Sequence, residues 1–263
     1  MVSYAPNVSW LFPETEFSKR PRLVAEAGCQ ALEFGFPSHA DLPALMSAAW
    51  DLGLEIVLFN QDVPVWDAAN RGYLVDPQRK DEFRRTLDQA LELCRSLKVG
   101  KLMLPAGVVL AGVGREAQWA CMLENLQQAV PLAAEAGVVL TLEVLNPTDN
   151  PGYFLTSLDD ARQVVETVAH ASVRLQLDTY HLGLLGYDPA VEIRRHAEWI
   201  GHIQFADFPG RHEPGSGGLD FVSIRAAIEA IGYNGTIGLE YIPLQPGGRT
   251  LLWAQAELAG KSH

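Results

Sequence analysis

Val138-Val139-Leu140-Thr141-Leu142-Glu143-Val144-Leu145-Asn146 is an apolar run with a single carboxylate close to its end. It reads as a strand fit for burial. Three further runs repeat the pattern: Val173–Asp178 ends on Asp178, His202–Ala206 carries Gln204, and Thr236–Tyr241 carries Glu240. Each polar side chain sits near the C-terminal end of its run. A carboxylate in an apolar strand is costly unless something pairs with it. Alternation puts Glu143 in phase with Thr141, Asp178 with Gln176, and Gln204 with His202.

Moving outward, short apolar runs alternate with longer amphipathic segments. The other expected strands are Tyr4–Trp10, Ala31–Phe36, Glu55–Asn60 and Lys101–Pro105. Helices are expected over Phe17–Gly28, Asp41–Leu52, Arg79–Leu97, Arg115–Ala136, Ser157–Val168, Ala190–Trp199, Phe221–Ile231 and Gly247–Leu258. Gly28, Gly53, Gly137 and Gly232 each stand just past a helical stretch, as a C-terminal stop requires. Phe83, Leu87, Ala90, Leu91 and Cys94 form one helical stripe. Eight βα units in order predict an α/β fold, a (β/α)8 barrel, over residues 1–263 as one domain. The doubly wound alternative would offer a Gly-rich turn after its first strand, and Trp10-Leu11-Phe12-Pro13-Glu14 stands there instead. The long connections Asn60–Gln78, Pro105–Gly114 and Asp207–Gly218 all follow strands, so a barrel puts them on its catalytic face.

Of the 263 residues, 48% are hydrophobic and 20% charged, and the net charge is −12. That acidity excludes nucleic acid and anionic membrane surfaces as expected partners. Cys29, Cys94 and Cys121 make no metal-type spacing and read as buried free thiols of a reducing compartment. No segment has the apolar length of a membrane span, and the first residues lack a basic start. The expected setting is the cytoplasm and the expected partner a small molecule, with self-association into a homo-oligomer left open.

Three carboxylates and an amide oxygen converging from neighbouring strands form an oxygen-only donor set. Such a set favours Mg2+ or Mn2+ over zinc. Any one of the four, Glu143, Asp178, Gln204 or Glu240, could alone be a structural pairing; four together point to a metal site. His181 is expected on a loop over the site, in contact with substrate or relaying a proton. His202 lies deeper on the Gln204 face, where a satisfied core histidine is an equal reading to substrate contact. His212 could face solvent. Arg71 and Arg211 are candidates for an anionic group, since a guanidinium matches a carboxylate in the plane; each could equally be a surface arginine. Trp66 could wall the pocket or simply pack. Pro105-Ala106-Gly107 lacks the Gly-Lys-Ser/Thr ending of a phosphate loop, and no Gly-x-Ser-x-Gly is present. Two glutamates at one metal suggest proton removal by one and return by the other, through a cis-enediolate.

Several motifs carry a resemblance over nearly the whole chain. They are Asn7-Val8-Ser9-Trp10-Leu11-Phe12, Glu33-Phe34-Gly35-Phe36-Pro37, Trp66-Asp67-Ala68-Ala69-Asn70-Arg71-Gly72 and Leu142-Glu143-Val144-Leu145-Asn146. Gln176-Leu177-Asp178-Thr179-Tyr180-His181, Gly201-His202-Ile203-Gln204-Phe205-Ala206-Asp207, His212-Glu213-Pro214-Gly215-Ser216-Gly217 and Gly238-Leu239-Glu240-Tyr241 complete them. They resemble the hydroxypyruvate isomerase family, which includes 2-oxotetronate isomerases. The resemblance implies a xylose-isomerase-like TIM barrel and aldose–ketose isomerisation of a small hydroxy-oxo acid. It implies Glu143 and Glu240 as the proton-transferring pair, and Glu143, Asp178, Gln204 and Glu240 as the metal set. Related ketose 3-epimerases carry His where this chain has Gln204, which argues for the isomerase branch. Sugar 3-epimerisation and non-catalytic binding of a sugar acid remain the alternatives.

Overall fold

The computed structural model describes residues 3–259. Its eight strands are β1 (Tyr4–Pro6), β2 (Ala31–Glu33), β3 (Glu55–Asn60), β4 (Lys101–Met103), β5 (Val139–Glu143), β6 (Val173–Asp178), β7 (Ile200–Phe205) and β8 (Ile237–Leu239). All pair in parallel, in the order β1-β8-β7-β6-β5-β4-β3-β2. Just past β1, Asn7 bridges Glu33 and Val8 N–H donates to the Glu33 carbonyl at 2.8 Å, so the sheet nearly closes into a barrel.

The helices are α1 (Arg20–Glu26), α2 (Leu42–Asp51), α3 (Lys80–Leu97), α4 (Arg115–Ala136), α5 (Leu158–Val168), α6 (Thr179–Leu184), α7 (Pro189–Arg195), α8 (Phe221–Ala230) and α9 (Leu252–Leu258). Side-chain caps set several starts. Asp41, Ser157, Asp188 and Asp220 each accept from a backbone N–H of the following turn. The stripe of Phe83, Leu87, Ala90, Leu91 and Cys94 is buried as its spacing predicts.

Several elements differ from expectation. The Tyr4–Trp10 strand stops early, because Trp10 and Leu11 N–H both fold back onto the Asn7 carbonyl. The Phe17–Gly28 helix divides into a 3-10 turn (Phe17–Lys19) and α1, which opens at Arg20 with Pro21 in its first turn, where proline suits a helix. Helix α6 was not expected at all: Asp178 closes β6 and at once caps α6, its Oδ1 accepting from Tyr180 N–H at 2.8 Å.

The main apolar core lies between strands and helices, with Leu32, Leu102, Leu140, Leu142, Leu175 and Ile203 all fully buried. The barrel interior is different. Glu33, Thr141, Gln176, His202 and Gln204 are buried there and hydrogen-bonded to one another. Among the described residues no helix is long and apolar enough to cross a membrane.

Candidate active site

A cavity of about 930 Å3 opens where the loops after the strands converge. Glu143, Tyr180, His181, Arg211 and Glu240 border it, with Trp10, Trp66 and Arg71 around the rim.

Three carboxylates meet beside it. Glu143 ends β5, Asp178 ends β6, and Glu240 follows β8, its N–H continuing the ladder to the Phe205 carbonyl. One guanidinium answers them. Arg211 Nη2 donates to Asp178 Oδ2 at 3.2 Å and to Glu240 Oε1 at 3.0 Å, while Nε reaches the Glu240 carbonyl at 3.3 Å. Its face stacks on Trp10 at 4.1 Å. Arg211 stands at φ 57°, a left-handed conformation that costs about 1–3 kcal/mol for a non-glycine residue. Its loop enforces this. Arg211 N–H bonds the Asp207 carbonyl, its own carbonyl accepts from Ile242, and the buried Asp207 carboxylate gathers the N–H groups of Phe208, Gly215, Gly217 and Leu219.

The charges do not balance. Burial, then repulsion from Glu240 and Asp178, holds the Glu143 carboxyl well above its usual range. Burial pushes Glu240 up to about 8 and Asp178 up to about 6, in each case against the pull of Arg211. Three carboxylates, Glu143 and Asp178 buried and Glu240 partly so, and one guanidinium leave two negative charges uncompensated when all ionise. A divalent cation would remove that deficit, so this donor set fits one. Ligand atoms of Glu143, Asp178 and His181 lie within 4.8 Å of one another, close enough to hold a metal ion.

His181 is not on a loop, as expected, but in the first turn of α6 and fully buried. Its Nδ1 receives the Asn146 backbone N–H at 3.2 Å and the Asn146 amide Nδ2 at 2.7 Å. Both are donors, so Nδ1 is the acceptor and the ring proton rides on Nε2. Burial, then Arg211, holds His181 well below its ordinary value, so it stays neutral. Nε2–H then points between Asp178 Oδ2 at 3.8 Å and Glu143 Oε1 at 4.0 Å. In this tautomer the imidazole N–H is directed at the site.

Gln204 lies at the junction of three side chains. Its Oε1 accepts from Gln176 at 2.8 Å, and its Nε2 donates to Glu240 Oε2 and Glu33 Oε1, both at 2.6 Å. In this arrangement the amide positions Glu240 and its oxygen is already engaged. His202 takes the core position that was one of its two expected readings. It lies beneath the cavity and does not border it, with Nε2 2.9 Å from Glu33 Oε2 and Nδ1 3.2 Å from Lys101 Nζ. His212 bonds the Ile242 carbonyl at 2.8 Å and stays on the outer loop.

A scan of family models matches residues 21–257 to the xylose isomerase-like TIM barrel. The chain belongs to that family. Within it, the chain is 35% identical to the 2-oxo-tetronate isomerase of Cupriavidus necator over 98% of its own length and 99% of that protein's. It is 32% identical to the hydroxypyruvate isomerase of Escherichia coli K12, over 96% of this chain and 98% of the other. A solved structure from Brucella melitensis, described as an AP endonuclease of family 2, superposes with a TM-score of 0.91 at 33% identity, covering 96% of this chain and 98% of that one.

Glu33 carries a role that the sequence reading left unassigned. It gathers Gln204, His202 and Asn7 inside the barrel. Its signal was an acid inside the short apolar run of β2. Gly238 makes the room: a Cβ there would come within 2.5 Å of Glu33 Oε2.

Proposed function

We propose that the protein is an isomerase that interconverts a 3-hydroxy-2-oxo acid, such as hydroxypyruvate, with its 2-hydroxy-3-oxo isomer, tartronate semialdehyde. The observation that carries this is the pair Glu143 and Glu240 bordering one cavity, both held above the ordinary carboxylate range. A 1,2-proton shift needs a base on one carbon and an acid on its neighbour. Carboxyls held above their ordinary range can both take up and give back a proton.

One glutamate removes the proton from the hydroxyl-bearing carbon, the hydroxyl proton passes to the former carbonyl oxygen within the cis-enediolate, and the other glutamate returns a proton to the adjacent carbon. His181 Nε2–H donates to a substrate oxygen on which negative charge develops. Gln204 holds Glu240 in place through its amide N–H, and the aromatic ring of Trp10 keeps Arg211 against Glu240 and Asp178. Glu143, Asp178 and Glu240 would hold a divalent cation, and an all-carboxylate set favours Mg2+ or Mn2+. When bound, the cation supplies polarisation of the substrate's carbonyl and hydroxyl oxygens, which acidifies the carbon-bound proton.

2-Oxotetronate is the second reading, because a cavity of about 930 Å3 has space for a further carbon. DNA is a poor fit to a chain of net charge −12. The test offers hydroxypyruvate, 2-oxotetronate and free ketoses to the purified protein with Mg2+, with Mn2+ or with EDTA. Metal-dependent turnover of an oxo acid is expected. Turnover confined to neutral ketoses would overturn the reading.

A further inference from the structure

An anionic substrate must enter a site already crowded with carboxylates, so it needs a cation that nothing else uses. Three arginines border the cavity: Arg20, Arg71 and Arg211. Arg20 spends Nε on the Thr15 carbonyl and Nη1 on the Val8 carbonyl. Arg211 is taken by Asp178 and Glu240. Arg71 is unlike both. Its side chain is 7% exposed, and among the described residues no carboxylate lies within ion-pair distance of it. Its Nε–H is buried with no hydrogen-bond partner. A native structure seldom leaves a buried donor of that strength unmet.

Everything around Arg71 holds it still. Asn150 Oδ1 accepts from Nη1 at 2.6 Å, and Trp66 lies against the guanidinium at 5.2 Å. The next residue bolts the loop to the barrel. Gly72 adopts φ +114° and bridges Ala106, and a Cβ there would come within 2.2 Å of the Pro105 carbonyl. A fixed guanidinium with one side engaged and its Nε–H unpartnered matches a planar oxyanion.

We infer that Arg71, clamped by Asn150 and Trp66, is the carboxylate anchor that selects oxo acids over neutral ketoses at this site. The inference rests on the proposed isomerase reading for its substrate class. The anchor accounts for how so acidic a protein takes an acidic substrate. It also separates the two arginines: Arg211 neutralises the protein's own carboxylates, and Arg71 neutralises the substrate's.

The test pairs kinetics with binding that needs no turnover. Wild type, Arg71→Gln and Asn150→Ala are compared, with folding checked by circular dichroism. Calorimetry with glycerate, a non-reacting hydroxy acid, reads the anchor directly. Arg71→Gln should weaken glycerate roughly 10–100-fold, the scale of a lost charge-assisted bond. KM for hydroxypyruvate should rise by a similar factor while kcat changes little. Dihydroxyacetone, which keeps the hydroxyl–carbonyl pair and lacks the carboxylate, should bind or compete as in wild type. Asn150→Ala should weaken glycerate in the same sense by a smaller factor, and it decides the matter if Arg71→Gln does not fold. Unchanged glycerate affinity, or equal losses for the charged and neutral ligands, would overturn the anchor. The two readings fail separately. Wild type that turns over only ketoses yet binds glycerate through Arg71 sinks the isomerase reading alone. Wild type that isomerises hydroxypyruvate with a KM indifferent to Arg71→Gln sinks the anchor alone.

Discussion

The barrel interior holds two ionic clusters, one above the other, and they are built on opposite plans. In the lower one, Lys101 donates to His202 Nδ1, which leaves the ring proton on Nε2 to meet Glu33, and Asn7 and Gln204 also donate to that carboxylate. One cation faces one anion through a neutral imidazole, and every polar atom of Glu33 and His202 has a partner. In the upper cluster, Glu143, Asp178 and Glu240 face Arg211 alone. Glu33, His202, Glu143 and Asp178 are all buried, and Glu240 is partly exposed at the cavity. The difference is charge balance: the lower cluster is complete as the chain folds, and the upper one is left to be completed by something from outside. Gln204 joins the two, with one amide nitrogen on Glu33 below and Glu240 above.

Neutralising a carboxylate of the upper cluster should show the difference most plainly. Glu143→Gln and Glu240→Gln should each lower turnover by at least about a thousandfold, the scale of a lost proton-transfer group. In the metal-free protein the same changes should raise the melting temperature, because they remove repulsion. Turnover assays and thermal melts in EDTA check the pair. Near-normal turnover in either variant would remove that glutamate from the chemistry.

Below, the sign reverses. His202→Ala strands Glu33 and Lys101 without their shared partner. It should cost about 3 kcal/mol, or roughly 6–12 °C of melting temperature for a chain of this size. A neutral result in the melt would mean that the lower cluster carries no structural weight.

A pH titration of the metal-free protein gives a smaller effect. Glu240 at about 8 and Glu33 at about 7 sit above their unfolded values, so the folded state binds more protons than the unfolded one. That stability is fully present below the unfolded carboxylate range and is lost as pH rises through the folded values. His181 and His202 are held low and act in the opposite sense on acidification, below about pH 6.5. Above pH 6.5 the histidines drop out; the carboxylates lower stability as pH rises, and Lys101, whose ammonium burial holds below its usual value, opposes them. Stability in EDTA should therefore fall as pH rises, and Mg2+ or Mn2+ should flatten the slope. A flat profile with and without metal would contradict the charge deficit.

The two clusters were unequally legible in the chain. Glu143, Asp178 and Glu240 stand out because each is an acid ending an apolar run, and eight such runs with helices between them imply the barrel that gathers them. The lower cluster depends on register across the closing sheet. Glu33 on β2 meets His202 and Gln204 on β7 only once β1 and β8 are laid between them, and no local pattern carries that. Helix α6 escaped for another reason: six residues are too few to show a helical period, and its cap, Asp178, already read as the end of a strand. The tautomer of His181 was beyond reach as well, since it turns on one backbone N–H of Asn146.

The central claim is that Glu143 and Glu240 pass a proton between adjacent carbons of a hydroxy-oxo acid. It is tested most directly by following hydroxypyruvate in D2O by proton NMR with metal-loaded wild type, Glu143→Gln and Glu240→Gln. The account predicts tartronate semialdehyde and loss of the hydroxymethyl proton signal to solvent deuterium with wild type, and neither product nor full turnover with the variants. No exchange and no product with wild type, or product at the wild-type rate from either variant, would contradict it.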